Sequence, residues 1–294
     1  NNPIFDAAYQ VLNAETGEVI EVIRTNREGE AVSTLLEYGT KVIVAQQYAP
    51  LPYVLDDSQV QFEISSEVHT ITRTSELLDY VKDYQWNDDG TVTITHLHVP
   101  VESVLQNPEL PNGCEITSLT AILQTYGYDV SKTEMADDYL KQVPFKWEDG
   151  KLYGANPYLA YAGNPRNERG AFFVYGPPIV EAAEKLFAEV GGTHTAVDIS
   201  GSSREEIMSY LYEGYPVLMW VTLNLEKSRI NYSWYFYETE EYFPAPVNLH
   251  AVVLHGFNGD ELYVMDPLRG HITRDADDFF ASYVDLGSHA VVVK

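Results

Sequence analysis

The sequence predicts two domains, a small all-β sandwich followed by an α+β domain. The chain has 294 residues, which exceeds the roughly 100–200 residues of one ordinary domain. Up to about residue 72, short segments alternate apolar and polar residues, whereas after about residue 95 amphipathic helices come first and strands follow. Helices followed by antiparallel strands are typical of an α+β domain.

Short strands separated by turns define the first domain, residues 1–74. Turn residues recur about every 8–12 positions, which indicates a small β-sandwich. The predicted strands are Ala8–Leu12, Glu18–Ile23, Lys41–Ala45 and Val60–Ile64. Residues 75–94 are predicted as a linker that includes a helical piece over Ser75–Tyr84. A turn at Asp88–Gly90 leads into a β-rich stretch, Thr91–Leu97.

Residues 95–294 form the predicted second domain. Its helices carry apolar residues at helical spacing and end at glycines or just before them. The predicted helices are Cys114–Tyr126, Pro178–Val190 and Ser203–Glu213, and the strands are Pro216–Val221, Ala251–Gly256, Glu261–Met265 and Ala290–Val293. Between the first two helices, Gly150–Gly176 is rich in Gly, Asn, Pro and Tyr, which indicates a long loop bordering a site.

The charge balance excludes several kinds of partner. Forty-four acidic against 18 basic residues give a formal net charge of −26, and such a field repels nucleic acid and anionic membranes. The sequence contains no apolar run near the 18 or so residues of a membrane helix, so we predict no membrane insertion. The chain begins at Asn1 without the charged and apolar regions of a signal peptide, so we expect any such peptide to be already removed or absent from this sequence.

Cys114 is the sole cysteine, which excludes an internal disulfide, a CxxC redox pair and a multi-cysteine zinc site. It follows a loop rich in Pro, Asn and Gly and opens a predicted helix. Free N–H groups at a helix start stabilise a thiolate, so the position favours a nucleophile. Gln106 precedes it by eight residues and can donate to a developing oxyanion. A carboxylate at Glu115 would oppose thiolate formation unless it points away. We interpret Glu115 as a helix-start carboxylate that interacts favourably with the helix dipole rather than as a catalytic group.

A nucleophilic thiol needs a base, and His250 is the candidate. It lies in a predicted strand that a turn at Asn258–Asp260 folds back onto Glu261–Met265, with Asp266 next. If the turn holds three residues, Asp266 shares a face with His250, and a two-residue turn breaks that parity. Papain-type enzymes place His and Asn about 130–150 residues after the cysteine. His250 and Asp266 follow Cys114 by 136 and 152 residues.

These four residues together predict a Cys–His–Asp hydrolase with a glutamine in its oxyanion hole. A strand histidine alone is more often structural, and Asp-Pro after a strand also opens turns, but their conjunction favours catalysis. His96 and His98 alternate along one strand without an evident third ligand. We therefore predict no metal site and no cofactor.

The second domain resembles a known family over about residues 99–294. The resemblance is carried by LPNGCEITSLTAILQTYGYDV, DISGSSREEIMSYLYEGYPVLMWVT and NLHAVVLHGFNGDELYVMDPLRG. These segments are similar to the stand-alone relatives of the bacteriocin-processing (double-glycine leader) peptidases, which have a papain-like fold. The resemblance implies Cys114 as the nucleophile and His250 as the general base. It also implies Asp266 as the group that orients the histidine, and Gln106 in the oxyanion hole.

Residues 4 to about 72 resemble a SpaA/Cna B-type domain, a prealbumin-like sandwich of Gram-positive surface proteins. The resemblance is carried by NAETGEVIEVIRTNREGEAVSTLLEYGTKVIVAQQYAPLPYVLDD. Such domains often hold a Lys–Asn isopeptide bond catalysed by an acid in the strand before Ala-Pro. Gln46 stands where that acid is expected, and no lysine precedes Lys41. We predict a stalk or spacer without an isopeptide bond.

These expectations combine into a secreted or cell-surface cysteine peptidase, extracellular or wall-associated in a Gram-positive bacterium. Its expected partner is a peptide or protein substrate of cell-wall or host origin. A cell-wall peptide amidase and a transglutaminase-type acyltransferase use the same triad and remain alternatives. A further alternative is a catalytically inactive surface adhesin, or binding module, against which the intact Cys114, His250 and Asp266 count.

Overall fold

The computed structural model describes residues 2–294 and divides between residues 96 and 97 into two compact units. The strands of the first unit are β1 (Ala8–Asn13), β2 (Val19–Arg24), β3 (Lys41–Tyr48), β4 (Gln59–Glu63) and β5 (Val81–Trp86). Strand β6 (Val92–His98) runs across the boundary.

Four antiparallel strands form the sheet of the first unit in the order β2-β1-β3-β4. They confirm the four predicted strands, with ends that differ by at most three residues. The alternating pattern buries Ala8 and Val11 of β1 and Val42 of β3. The assignment of this sheet to a prealbumin-like sandwich stays a prediction.

Two side chains of β3 bear on the predicted absence of an isopeptide bond. Gln46 is buried, and its Oε1 accepts a hydrogen bond from the Asp56 backbone N–H at 2.8 Å. Lys41 lies at the surface, with its Nζ 3.6 Å from a carboxylate oxygen of Glu15.

The helix predicted over Ser75–Tyr84 is wrong, because strand β5 occupies the second part of this segment and pairs with β6. The turn between the two strands is closed by hydrogen bonds from Asn87 N to Thr91 O and from Gly90 N to Asn87 O, both 3.0 Å. Pairing with a neighbouring strand overrides the weak local preference of such a short segment. Residues 75–94, the predicted linker, therefore contain β5 and the start of β6.

The second unit contains five helices among its described residues: α1 (Cys114–Thr125), α2 (Lys132–Glu134), α3 (Gly176–Val190), α4 (Arg204–Tyr212) and α5 (Ala276–Asp285). A π-helical turn (Met135–Tyr139) continues α2, and a 3-10 turn (Leu223–Leu225) follows β12. The strands are β7 (Gln142–Val143), β8 (Lys146–Glu148), β9 (Lys151–Gly154), β10 (Tyr161–Ala162), β11 (Ala196–Asp198), β12 (Val217–Thr222), β13 (Ile230–Phe236), β14 (Tyr242–Pro246), β15 (Leu249–Asn258), β16 (Glu261–Asp266), β17 (Gly270–Asp275) and β18 (Ala290–Val293).

The main sheet of this unit has the order β11-β18-β12-β15-β16-β17, and all of its neighbouring strands are antiparallel. Two smaller sheets, β14-β13-β9-β8 and β10-β7, each contain a parallel pair. Helices with mostly antiparallel strands confirm the α+β prediction for this unit. Strands β9 and β10 fall within the predicted loop Gly150–Gly176.

The predicted helices correspond to α1, α3 and α4, and their ends follow from local chemistry. Ser203 caps α4, with its Oγ accepting from Glu206 N at 3.2 Å and its own N–H donating to Glu206 Oε2 at 2.7 Å. This reciprocal pair is a capping box. Helix α3 ends at Gly191, whose φ of 68° is a left-handed conformation that suits glycine.

Helix α1 is the central helix of the second unit. Every residue from Cys114 to Leu123 is buried, and a helix buried on all sides lies inside a core rather than on its surface. Ser118 Oγ donates to Ala251 O at 3.2 Å and so joins α1 to β15. This contact brings the start of α1 against the strand that carries His250.

Helix α5 and strand β17 are absent from the predicted elements. Asp275 caps α5 by accepting a hydrogen bond from Asp278 N at 3.0 Å. The sequence signal for this helix is therefore an N-cap aspartate with acidic residues in the first turn.

Candidate active site

Cys114 is the first residue of α1 and follows a tight loop. The loop is closed by hydrogen bonds from Leu110 N to Gln106 O at 2.9 Å and from Gly113 N to Leu110 O at 3.0 Å. A Cβ atom on Gly113 would lie 2.7 Å from Leu110 Cβ, so the close approach before the cysteine requires glycine. The loop thus fixes where the thiol enters the site.

The Cys114 thiol lies in surroundings that disfavour its ionised form. Its side chain is buried, and Sγ donates a hydrogen bond to Glu115 Oε2 at 3.3 Å. Burial, followed by the negative charge of Glu115, raises the pKa of the Cys114 thiol well above its ordinary value, and a hydrogen bond with the backbone of Ala251 opposes this only in part. The expectation that the helix start stabilises a thiolate is wrong for this arrangement, because desolvation is the larger effect.

Glu115 lies at the helix start as expected, but it points at the thiol rather than away from it. It is completely buried, and its second oxygen, Oε1, accepts from Val174 N at 3.1 Å. Burial raises the pKa of Glu115 to about 7, against the hydrogen bonds from its own backbone, from Val174 and from Cys114. The sequence identifies Glu115 as a residue that can oppose a thiolate, but not its burial, because its partner Val174 comes from a distant part of the chain.

His250 and Asp266 form the other half of the site. His250 Nε2 and Asp266 Oδ1 are 2.7 Å apart, and both side chains are buried. Burial opposes ionisation of Asp266, but the hydrogen bond and charge of His250, the N–H of Leu268 and the charge of Arg269 together lower its pKa. Because Nε2 contacts the carboxylate, Nδ1 is the ring nitrogen left for other proton transfers.

The hairpin of β15 and β16 brings these two side chains together by a different geometry from the predicted one. Asn258 pairs with Glu261, so the turn holds two residues instead of three. The register then shifts by one residue between Leu254 and Gly256, which is a β-bulge. The bulge restores the parity that the short turn breaks, and Asp266 returns to the face of His250.

Gln106 links the two halves through its backbone and its side chain. Its N–H donates to Pro267 O at 2.8 Å, next to Asp266. Its Nε2 donates to Pro111 O at 2.7 Å, in the loop that leads to Cys114. Gln106 Oε1 is buried without a hydrogen-bond partner among residues 2–294.

The predicted site residues therefore lie together, but one expected contact, between the Cys114 thiol and His250, is not made among residues 2–294. His250 contacts Asp266, and Gln106 contacts the loops that carry Cys114 and Asp266. The Cys114 thiol lies beside the backbone of Ala251, the neighbour of His250. Within residues 2–294 its side-chain hydrogen bond goes to Glu115 and none goes to His250.

The predicted Gly150–Gly176 loop borders the nucleophile side. Asn112 donates from its backbone to Pro165 O at 3.1 Å and from its side chain to Asn167 O at 2.6 Å. Together with the Val174 contact of Glu115, these bonds tie this segment to the start of α1.

A polar cleft of about 400 Å³ opens on the histidine side. Its lining residues are Asn224, Leu225, Arg269, Thr273, Arg274, Asp275 and Asp278. Four of these residues also line a narrow cavity that reaches His250 and Asp266. Arg269 Nη1 lies 4.0 Å from Asp266 Oδ2. The cleft therefore adjoins the base rather than the thiol.

Three of the remaining histidines, His98, His255 and His271, lie close together. His255 is buried, with Nδ1 2.9 Å from Val99 O and Nε2 3.3 Å from His271 Nδ1. The rings of His98 and His255 are in contact at 5.1 Å between centroids. Over residues 2–294, three or more His, Cys, Asp or Glu side chains nowhere assemble into a group suited to a metal ion. In that same part of the chain, no helix has the length and apolar character to cross a membrane.

The nucleophile loop, the buried His–Asp pair and the α+β sheet lie within one stretch of the chain that matches a family model. The Peptidase_C39 like family matches residues 96–291, two thirds of the chain. The chain belongs to this family. Membership in the C39-like family supports a cysteine-type peptidase domain, and residues 1–95 lie outside the match.

Two known proteins are similar to this chain over about two thirds of its length. Uncharacterized protein YvpB of Bacillus subtilis (strain 168) is 29% identical over 201 residues, covering 66% of this chain and 76% of that protein. The crystal structure of a protein described as a C39-like peptidase from Bacillus anthracis is 28% identical, with a TM-score of 0.57, covering 67% of this chain and 94% of that chain. The Bacillus anthracis structure is thus similar to this chain in both sequence and backbone.

Proposed function

We propose that this chain is a cysteine peptidase that hydrolyses peptide bonds with Cys114 as nucleophile, His250 as general base and Asp266 as the group that orients the base. The observation that carries the proposal is the buried His250–Asp266 hydrogen bond of 2.7 Å. His250 lies on β15, and the next residue of that strand, Ala251, contacts the thiol through its backbone. A base oriented by a carboxylate beside a thiol is the arrangement that nucleophilic catalysis requires.

In the proposed reaction, His250 Nδ1 takes the Sγ proton and the sulfur attacks the carbonyl carbon of the peptide bond. The resulting oxyanion is stabilised by hydrogen bonds from Gln106 and from the backbone N–H of Cys114. Protonated His250 then gives its proton to the leaving amine as the C–N bond breaks. Water, losing a proton to His250, attacks the thioester and releases the carboxylic acid and the thiol.

The contacts of Gln106 support its proposed role. An amide nitrogen has two N–H donors, and one of them is used by Pro111 O at 2.7 Å. This bond holds the side chain beside the loop before Cys114, so the second donor is available to an oxyanion near the start of α1.

The proposal requires the thiol to change its partner before it reacts. In the present arrangement Sγ donates to Glu115 at 3.3 Å, whereas the reaction needs it within reach of His250. Catalytic hydrogen bonds often form only when substrate binds.

Hydrolysis of a peptide library tests the proposed function. We expect cleavage by the parent chain and a loss of at least about 10³-fold in Cys114→Ala and in His250→Ala, because each removes a group needed for the covalent step. Ser209→Ala, which removes a hydroxyl on exposed helix α4 that bonds Glu206 O, is the control and should keep its rate. No cleavage by the parent chain, or equal rates in all variants, would contradict the proposal.

The same assay separates a hydrolase from an acyltransferase. With a primary amine added, a hydrolase gives mainly the free acid, whereas a transglutaminase-type enzyme gives mainly the amide. Cleavage of cell-wall peptides included in the library would identify a cell-wall peptide amidase.

We also propose an extracellular or wall-associated location, with the first unit as a SpaA/Cna B-type spacer. The strongly acidic net charge of −26 and the single cysteine support a secreted protein. Fractionation of producing cells tests the location, and recovery only in the cytosolic fraction would overturn it. For the first unit, a crystal structure with a second sheet packed on β2-β1-β3-β4 would support the spacer assignment.

A further inference from the structure

Glu115 is a buried carboxyl group whose two oxygens have different partners. Oε2 accepts from the Cys114 thiol at 3.3 Å, and Oε1 accepts from Val174 N at 3.1 Å. The residue is 0% exposed. The carboxyl group therefore bridges the nucleophile and a segment about 60 residues further along the chain.

No basic group balances this carboxyl. Within residues 2–294 no lysine, arginine or histidine forms an ion pair with Glu115, and its contacts are backbone N–H groups and the thiol. Two tyrosines from other elements, Tyr161 of β10 and Tyr175 before α3, lie close enough to interact electrostatically with Glu115. Burial raises the pKa of both tyrosines, which disfavours their negative form, and a tyrosine carries no positive charge in either form.

A purely structural role does not account for a charged residue here. Glutamine has the same shape, and its carbonyl oxygen could accept the Val174 N–H equally well. A buried carboxyl without a cation is destabilising. Glutamic acid differs from glutamine because it can carry a negative charge. As an anion it accepts a hydrogen bond from the thiol S–H, and it repels a thiolate beside it.

We propose that Glu115 is a positioning residue that holds the Cys114 thiol protonated and bonded away from His250 until the site is engaged. The inference rests on the proposed function because it takes Cys114 as the nucleophile. On activation, the S–H···Oε2 hydrogen bond breaks and the Sγ proton passes to His250 Nδ1. Glu115 keeps its bond to Val174 throughout, so the segment before α3 stays in place.

The pH dependence of Cys114 alkylation by iodoacetamide tests this role directly, because the chain has a single cysteine. In Glu115→Gln the amide oxygen can keep the Val174 bond, and the amide N–H faces the sulfur as a donor. We expect the alkylation profile to move at least one pH unit towards acid, which gives about tenfold faster alkylation near pH 7. A slower rate or an unchanged profile would overturn the proposal.

Glu206→Gln is the matched control. Glu206 is also a carboxylate in the first turn of a helix, but it is exposed. It accepts a hydrogen bond from the backbone N–H of Ser203, the N-cap residue of α4. Its replacement should leave the alkylation profile unchanged. An equal shift in this variant would show that net charge rather than the local contact changes the thiol, and would also overturn the proposal.

Alkylation of the double variant Glu115→Gln/His250→Ala separates this inference from the proposed function, because the first change frees the thiol to pair with His250. If the double variant reacts like Glu115→Gln, the proposed His-paired nucleophile fails, whereas the comparison of Glu115→Gln with the parent still tests the role of Glu115.

A measurement on the unsubstituted chain covers the case in which Glu115→Gln does not fold. Infrared difference spectra before and after alkylation should contain a shift of a carboxyl band, because alkylation removes the S–H donor from Glu115. A difference spectrum without a carboxyl signal would contradict the proposed contact.

Discussion

Two carboxyl groups in the same site behave in opposite ways. Asp266 accepts from His250 at 2.7 Å, and its pKa is lowered although burial acts against this. Glu115 accepts from Cys114 at 3.3 Å, and burial raises its pKa to about 7. The first has a partner that can carry positive charge, whereas the second has a thiol that can only become negative. The partner, rather than burial alone, decides which carboxyl is ionised.

The same difference separates the two halves of the site. The base half is assembled, with His250 and Asp266 already in contact. The nucleophile half is closed, because the thiol is buried, neutral and bonded to Glu115. We infer that the base is preorganised and that the thiol side carries the rearrangement on which activity depends.

Removal of the proposed oxyanion donor, Gln106, should cost more activity than loss of the Asp266 charge. We expect Gln106→Ala to lower kcat by about 10²–10³-fold, the usual loss for one such donor. Gln124→Ala is the matched control, because Gln124 Nε2 also donates to a backbone carbonyl, that of Val130 at 2.9 Å, near the other end of α1. Steady-state kinetics on a cleaved peptide measure both. Equal losses in the two variants would indicate a structural role for Gln106.

Weakening the assembled half should cost less activity. Asp266→Asn keeps a hydrogen-bonding group beside His250 but removes the negative charge. We expect kcat/KM to fall by about 10²-fold, the lower end of what general base catalysis contributes. The measurement is kcat/KM on the same peptide. A loss as large as that of His250→Ala would show that the charge itself, rather than orientation, is essential.

Unfolding in urea at several pH values checks the electrostatics of Asp266. Its folded pKa lies below the ordinary 3.8, so the parent chain gains stability from ionised Asp266 above that value and loses it as the pH falls further. The stability difference between parent and Asp266→Asn should therefore shrink below about pH 4. A constant difference would contradict the lowered pKa.

Much of the site could be predicted from the sequence because spacing and turn chemistry report on strands and helix starts. The predicted strand over Ala251–Gly256 lies within β15, and α1 begins at Cys114 as expected. The shared face of His250 and Asp266 was also expected, but on the assumption of a three-residue turn. The structure reaches it with a two-residue turn and a bulge beside His255. Bulges leave no clear mark in a hydrophobic pattern, so this compensation could not be foreseen.

The burial and direction of the Glu115 carboxyl could not be predicted, because they depend on contacts that are distant in sequence. A carboxylate in the first turn of a helix is ordinarily exposed and favourable. Glu115 is instead buried because α1 is enclosed on all sides and Val174 comes against its start. Local sequence indicates that a helix begins at Cys114, but not which side of its first turn is covered.

The stability of Glu115→Gln as a function of pH tests most directly whether the pKa of Glu115 is shifted in the opposite direction to that of Asp266. Because the folded pKa of Glu115 is about 7, above the ordinary 4.5, the folded parent binds more protons than the unfolded chain between these values. Parent stability should therefore fall relative to Glu115→Gln as the pH rises from about 4.5 to 7, by about 3 kcal/mol in total. Urea unfolding at pH 4, 6 and 8 measures this.

The control for this experiment has the opposite sign. The pKa of exposed Glu206 is lowered by its hydrogen bonds with Ser203, so the parent gains stability relative to Glu206→Gln as the pH rises through the acid range. Opposite trends in the two variants would confirm that burial beside a thiol reverses the usual effect of a helix-start carboxylate. Parallel stability curves for Glu115→Gln and the parent would mean that Glu115 titrates like an exposed acid. The proposed electrostatic effect of Glu115 on the Cys114 thiol would then be contradicted.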